Sequence, residues 1–117
     1  MTGLIAQPFR GGRGGWRAET TVPLAEARED GTQRMLRIST YKHDRGGIVT
    51  YASACTKDGP VIRTAVFQDF HAVVEQRTAA RGTERAIREQ QQRALDKVED
   101  LKAQALAHEN TPRDRLP

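Results

Sequence analysis

The hydrophobic positions change their period once along the chain, and that change separates a strand-forming half from a helix-forming half. Up to about residue 68 the apolar positions recur every second residue. Trp16, Ala18, Thr20 and Val22 fall on one side of the segment 16–24, with Arg17, Glu19 and Thr21 on the other, the alternation of a half-buried strand. Pro23 ends that strand or places it at an edge, because proline cannot donate to a ladder. Asp30-Gly31 is a hairpin-type turn signal. In the segment 34–42, Leu36, Ile38 and Thr40 share one face, and Arg37, Ser39 and Tyr41 the other. His43 to Gly47 turns, residues 48–55 are rich in β-branched and aromatic side chains, and Lys57-Asp58-Gly59-Pro60 turns again before a further strand over 61–67. Three strands joined by two short glycine turns make an antiparallel meander, with the strand from Trp16 as a fourth.

Beyond Phe67 the period becomes helical. Asp69 is placed to cap a helix beginning at Phe70. Val73, Ala80, Ile87, Ala94 and Leu101 recur every seven residues, and Val98 and Ala105 join the same stripe. Gly82-Thr83 offers an alternative, with Gly82 ending one helix and Thr83 capping a second. A four-stranded sheet is about 20–25 Å long, whereas 35 helical residues span roughly 50 Å, so the helix outruns its sheet. A seven-residue apolar repeat favours pairing between chains. A homodimer is therefore expected, with Val73, Ile87, Val98 and Leu101 at its interface. The expected fold is α+β: a four-stranded antiparallel meander followed by a long C-terminal helix, broken or unbroken at Gly82. Residues 1–15 form a flexible Arg/Gly-rich arm, 16–109 the sheet-plus-helix domain, and 110–117 a frayed tail with two prolines.

Composition narrows the setting. The 117 residues suffice for one domain with a modest core, and at 37% hydrophobic and 29% charged they are polar for a compact globule. No apolar run approaches the about 20 residues of a membrane-spanning helix. Glycine and arginine stand where a secretory leader would be apolar. The single cysteine, Cys55, rules out an intramolecular disulfide and fits a reducing compartment, so a cytoplasmic protein is expected. The net charge of +4 lies wholly within residues 1–68, while 69–117 balance nine basic against nine acidic residues. A localised basic excess suits a polyanionic partner.

Two features carry candidate chemistry. Residues 9–17 hold two Arg-Gly-Gly repeats flanked by Phe9 and Trp16 and resemble the Arg-Gly-Gly boxes of nucleic-acid-binding proteins. Arg10, Arg13, Trp16 and Arg17 are its candidate contacts, guanidiniums for phosphates and bases, rings for stacking. The outward face of the meander adds Arg37, Ser39, Tyr41 and Tyr51, with Lys42, Arg45 and Lys57 at the turn tips. Rings on a platform with cations around it suit unpaired bases and their backbone. Enzymatic chemistry finds no such support. His43, His71 and His108 match no ligand spacing, Cys55 has no partner set for nucleophilic catalysis, and Glu84-Arg88 and Glu89-Arg93 read as solvated helix pairs. Gly46-Gly47 lacks the Lys-Ser/Thr of a phosphate loop. Neither metal nor cofactor is expected.

The order of elements adds a resemblance. Leu36-Arg37-Ile38-Ser39, Arg45-Gly46-Gly47-Ile48-Val49, Lys57-Asp58-Gly59 and the segment 67–74 make residues 35–75 similar to the single-stranded-DNA-binding domain of the positive cofactor four transcriptional coactivators. The resemblance implies a curved antiparallel sheet and one helix, dimerised through the helix, with sheets that bind unpaired strands. Arg37, Arg45, Lys57 and Arg63 are the strand contacts it implies. The expected function is binding of single-stranded DNA or RNA with little sequence preference. The alternatives are a protein–protein inhibitor or adaptor that uses the long helix, and a double-stranded-DNA repressor with a β-ribbon in the major groove.

Overall fold

The alternating half of the sequence forms one antiparallel sheet curled into a half-barrel, with two helices after it. This computed structural model describes residues 3–11, 15–63 and 69–109. The strands are β1 (Phe9–Arg10), β2 (Trp16–Pro23), β3 (Thr32–Lys42), β4 (Ile48–Asp58), β5 (Val61–Arg63) and β6 (His71–Arg77), followed by α1 (Glu84–Leu95) and α2 (Val98–Glu109). The sheet order is β1-β2-β3-β4, with β5 and β6 both paired to β4. They share the edge of β4 that β3 leaves open, β5 against Thr56–Asp58 and β6 against Ile48–Ser53. Arg63 stands opposite Thr56 and His71 opposite Ser53.

Register decides which side chains face the helices. β3 and β4 pair over their whole length, from Thr32 opposite Asp58 to Lys42 opposite Ile48. Leu36, Ile38 and Thr40 thus stand beside Ala54, Ala52 and Thr50, and Val22, Thr20 and Ala18 of β2 continue those rows. Leu36, Ile38, Ala52, Ala54 and Val22 pack against Ala94, Leu95, Val98, Leu101 and Ala105 of the helices, with Phe70 and Leu24 closing the cluster. A second cluster joins Ala18, Ile48 and Ile87, with Trp16 packed on it. Burying one large aliphatic of this kind contributes about 1.5–3 kcal/mol. The β3–β4 turn needs its glycines: Gly46 and Gly47 have φ of +93° and +82°, and a Cβ on Gly47 would collide with the backbone of Arg77 and Thr78.

Three consecutive glutamines bolt α1 to this sheet. Side chains on a helix turn by about 100° per residue, so neighbours fan out in different directions. Gln90 Nε2 donates to Thr50 Oγ1 (3.1 Å) and lies within reach of the carbonyls of Ile48 and Glu75. Gln91 Nε2 donates to Thr20 Oγ1 (3.1 Å) and the Ile38 carbonyl (3.0 Å). Gln92 grips the N-terminal segment, donating to the Leu4 carbonyl (3.0 Å) and accepting from the Ala6 amide (2.9 Å). Thr40 and Thr50 complete the seam with a hydroxyl pair at 2.7 Å. Gln91 Oε1, 2.6 Å from Thr40 Oγ1, can only accept, so Thr40 donates to it and Thr50 donates to Thr40.

Several sequence expectations are corrected here. The helix expected from Phe70 does not form, because residues 71–77 complete the free edge of β4 as β6. Val73 opposite Tyr51 is a strand residue, and Asp69 pairs with Arg34 at 3.4 Å instead of capping. The helix that the family resemblance implies at this point is therefore a strand. Thr83 does cap, its Oγ1 accepting from the Ala86 amide at 3.2 Å. The single long helix divides again at Asp96-Lys97, which folds the stripe back over its own sheet. Ile87, Val98 and Leu101, expected at a dimer interface, are only 0%, 2% and 5% exposed within one chain. These three are interior, whereas Val73, the fourth, is 54% exposed on β6. The expected free arm is also part of the fold: Ala6 is buried at 3% exposure and Phe9–Arg10 pair with β2. Arg88 pairs with Glu84 as expected, but Glu89 pairs with Arg85 (3.0 Å) and Arg93 reaches Glu75 on β6 (2.7 Å). The expected strand 61–67 is described only through Arg63, and the tail 110–117 lies outside the described residues. Among the described residues no helix is long and apolar enough to cross a membrane.

Two measurements test this account. Gln91→Ala leaves the Thr40 hydroxyl and the Ile38 carbonyl without their buried partner, so urea unfolding is expected to show a loss of about 2–3 kcal/mol. A loss below about 0.5 kcal/mol, the scale of an ordinary surface substitution, would contradict the seam. The second concerns pH. Hydrogen bonds from Arg93 hold the Glu75 carboxyl below its ordinary value of 4.5. A depressed carboxyl stabilises the fold fully above its unfolded-state value, and that contribution fades as pH falls through the folded-state value. Wild type is thus expected to melt above Glu75→Gln near neutrality, with the gap closing in acid; a gap that is constant with pH would contradict it.

Candidate nucleic-acid interface

With the helices on one face, the residues of opposite parity form the other. On β2 these include Arg17 and Glu19, opposite Tyr41 and Ser39 of β3. Across β4, Ser39 faces Tyr51 and Arg37 faces Ser53, and Ser53 in turn faces His71 of β6. Alternation alone therefore brings charged, hydroxyl and aromatic groups from four strands onto one surface.

The aromatic groups form a ladder across the strands. The Arg17 guanidinium carbon lies 5.6 Å from the centre of the Tyr41 ring. Tyr41 and Tyr51 have ring centres 6.0 Å apart, and Tyr51 and His71 4.9 Å, each pair inclined by 26°. Ser53 Oγ and His71 Nδ1 are 2.6 Å apart, a hydrogen bond that fixes the imidazole in the row. These residues line one groove, together with Glu19, Arg37, Ser39 and Cys55. A neighbouring groove shares Arg17 and Tyr41 and adds Trp16, Lys42 and Asp44.

Charge within the groove is partly offset, two arginines against one glutamate. Arg37 Nε is 3.0 Å from Glu19 Oε1, close enough for an ion pair but turned off the hydrogen-bond axis, and Arg17 Nη2 is 4.0 Å from Oε2. Burial, and next to it the Tyr51 hydroxyl, raises the Tyr41 phenol above its ordinary value. Burial likewise pushes the Cys55 thiol up, so it is neutral near pH 7 and a poor nucleophile. Among the described residues no three His, Cys, Asp or Glu side chains are placed to hold a metal ion.

The sequence-derived candidates are only partly brought together. Arg17, Arg37, Ser39, Tyr41 and Tyr51 come together in the main groove. Lys42 and Trp16 border the second; Trp16 lies on the helix-bearing side of β2, with the Arg10 guanidinium 4.6 Å above its ring. Arg45 is exposed in the β3–β4 turn. Lys57 and Arg63 stand at the far end of the β3–β4 ribbon, where Arg63 pairs with Asp58 at 3.3 Å. Nine residues of strand separate Lys57 from the Ile48 end, about 30 Å, so the two sets of cations do not form one patch. Arg13 lies outside the described residues. His71 and Glu19 were not among the candidates. Glu19 was visible as the alternate neighbour of Arg17, whereas His71 was hidden by the helical reading of its segment.

The ladder makes a spectroscopic claim. The chain has two tyrosines, and in an ultraviolet absorbance titration Tyr41 is expected to ionise above the ordinary 10.0. Tyr41→Phe should remove a component above 10.0; a titration above 10.0 unchanged by the substitution would contradict the arrangement.

Comparison with family models, with curated proteins and with solved structures finds no match to this chain.

Proposed function

We propose that the open face of the sheet binds single-stranded nucleic acid, DNA or RNA, by stacking bases along the ladder. The observation that carries this reading is the row Arg17, Tyr41, Tyr51, His71, one residue from each of β2, β3, β4 and β6. Successive members lie 5.6, 6.0 and 4.9 Å apart, so the row has room for a few successive nucleotides. Every base has a π-face, and stacking on aromatic side chains contributes about 1–3 kcal/mol per base. In a duplex those faces are already stacked on one another, which favours the unpaired strand. Arg17, at the end of the row, and Lys42, which borders the neighbouring groove, supply cations for the backbone.

The resemblance to positive cofactor four coactivators points to the same use of a sheet, although its helix-mediated dimer has no counterpart in the packing of Ile87, Val98 and Leu101. The adaptor reading would use the helices as recognition surface, and it has less support because Ile87, Val98 and Leu101 are buried within one chain.

The reading is tested with labelled single-stranded DNA, single-stranded RNA and duplex at low and moderate salt. Single strands are expected to bind more tightly than duplex, with log K falling against log salt by about 0.7 per phosphate contact. Tyr51→Ala should cost about 1–3 kcal/mol of binding with little loss of fold, while Lys57→Glu, outside the ladder, should cost much less. Tighter binding to duplex, or an unaffected Tyr51→Ala, would sink the proposal.

A further inference from the structure

A surface built only to attract phosphate would exclude carboxylates, yet Glu19 stands inside the groove beside the ladder. Two guanidiniums flank it. Arg17 lies two residues back on the same face of β2, with Nη2 4.0 Å from Oε2, and Arg37 lies diagonally across on β3, with Nε 3.0 Å from Oε1. The side chain remains 31% exposed. An ionised carboxylate accepts at about four lone-pair positions, and these two contacts leave accepting capacity free, most of it on Oε2.

We infer that Glu19 is a specificity-determining residue that reads the pairing edge of guanine, an inference that rests on the single-strand reading above. Guanine presents two donors side by side, N1–H and the N2 amino group, which match the two oxygens of a carboxylate. Adenine and cytosine present an amino donor next to a bare ring nitrogen, whose lone pair faces the carboxylate. Thymine and uracil present one N–H between two carbonyls, both repelled. The expected order is guanine first and thymine or uracil last. Geometry allows the contact: Glu19 faces Ser39, which faces Tyr51, and this row lies one side-chain repeat, about 6.7 Å, from the Arg17–Tyr41 row. A base stacked on Tyr41 or Tyr51 can therefore turn its edge to Glu19 without leaving the ladder. The arginines do two things for it. They draw the carboxylate into the groove, which limits the ordering cost of binding, and they offset its repulsion of the passing phosphates.

The test uses the full chain and three short fluorescent oligonucleotides: all thymidine, the same with one central guanosine, and the same with central inosine, which lacks the N2 amino group. The guanosine oligonucleotide is expected to bind about tenfold more tightly than the all-thymidine one, the scale of one good bidentate base contact, with inosine between. Glu19→Gln, which replaces one acceptor by a donor, should flatten the series and strengthen binding to thymidine. Glu19→Asp keeps the charge and shortens the reach, so it should lose the guanine preference without gaining affinity for thymidine. Melting curves check that both variants stay folded. Equal binding of the three by wild type, or a full guanine preference in folded Glu19→Gln, overturns the inference while leaving single-strand binding intact. If wild type binds none of them, the underlying reading fails first and this one with it.

Discussion

The buried seam between α1 and the sheet is the constraint on which the remaining architecture depends. Gln90, Gln91, Thr40 and Thr50 are all fully buried, and their hydrogen bonds run in one direction, from Gln90 through Thr50 and Thr40 to Gln91 and on to Thr20. Apolar packing tolerates small slides, whereas a buried donor without an acceptor costs about 1–3 kcal/mol. A helix shifted by one residue would set glutamine amides against Leu36 or Ile38 and leave the threonines unpaired. The seam therefore selects one placement of α1 where the apolar stripe alone would accept several. The Gln90 amide is oriented by the same logic. Its Nε2 side meets only acceptors, Thr50 Oγ1 and two carbonyls, so the reversed amide would place oxygen against oxygen.

That placement reaches the open face through single strands. Thr20, held from behind by Gln91, lies between Glu19 and Thr21. Thr40 lies between Ser39 and Tyr41, and Thr50 immediately precedes Tyr51. Each anchor in the seam thus fixes the backbone of a residue in the groove on the opposite side. Gln92 extends the arrangement to the outer edge of β2, where it ties down Leu4 and Ala6. A ladder of one arginine and three rings drawn from four strands needs such backing, because the stacking distances between its members tolerate little displacement of the strands that carry them.

The strands with strict alternation were legible in the sequence, and so were their faces. The run from Arg34 to Lys42 gave both the core side and the Arg37, Ser39, Tyr41 side, because a period of two leaves no third choice. Thr83 as a cap was legible for a local reason, its hydroxyl satisfying a free amide of the first turn. β6 was not legible. Val73 and Ala80 fall by coincidence on the seven-residue repeat of Ile87, Ala94 and Leu101, and only the unpaired edge of β4, a long-range fact, draws residues 71–77 into the sheet. The misreading hid His71, the outer member of the ladder. Gln90 and Gln91 were not legible because polar side chains mid-helix ordinarily face water; their burial follows from hydroxyls on three different strands, which periodicity does not register.

The division of labour between the two faces makes turn length a functional quantity. A slip of one residue between β3 and β4 exchanges the faces of every side chain on one strand. Thr40 and Thr50 would then leave the seam, Tyr41 and Tyr51 would no longer stand together, and one strand would turn its site residues to the helices. Apolar burial resists that slip only weakly at Ala52 and Ala54, whose side chains are small. The β3–β4 turn resists it directly: the His43 amide donates to the Gly47 carbonyl at 3.0 Å and the Gly46 amide to the His43 carbonyl at 2.9 Å. Both glycines occupy left-handed conformations, and Gly47 also passes too close to Arg77 for any side chain. Gly46-Gly47 thus contributes to the groove by setting the register that places Tyr41 beside Tyr51, with no contact of its own to the site.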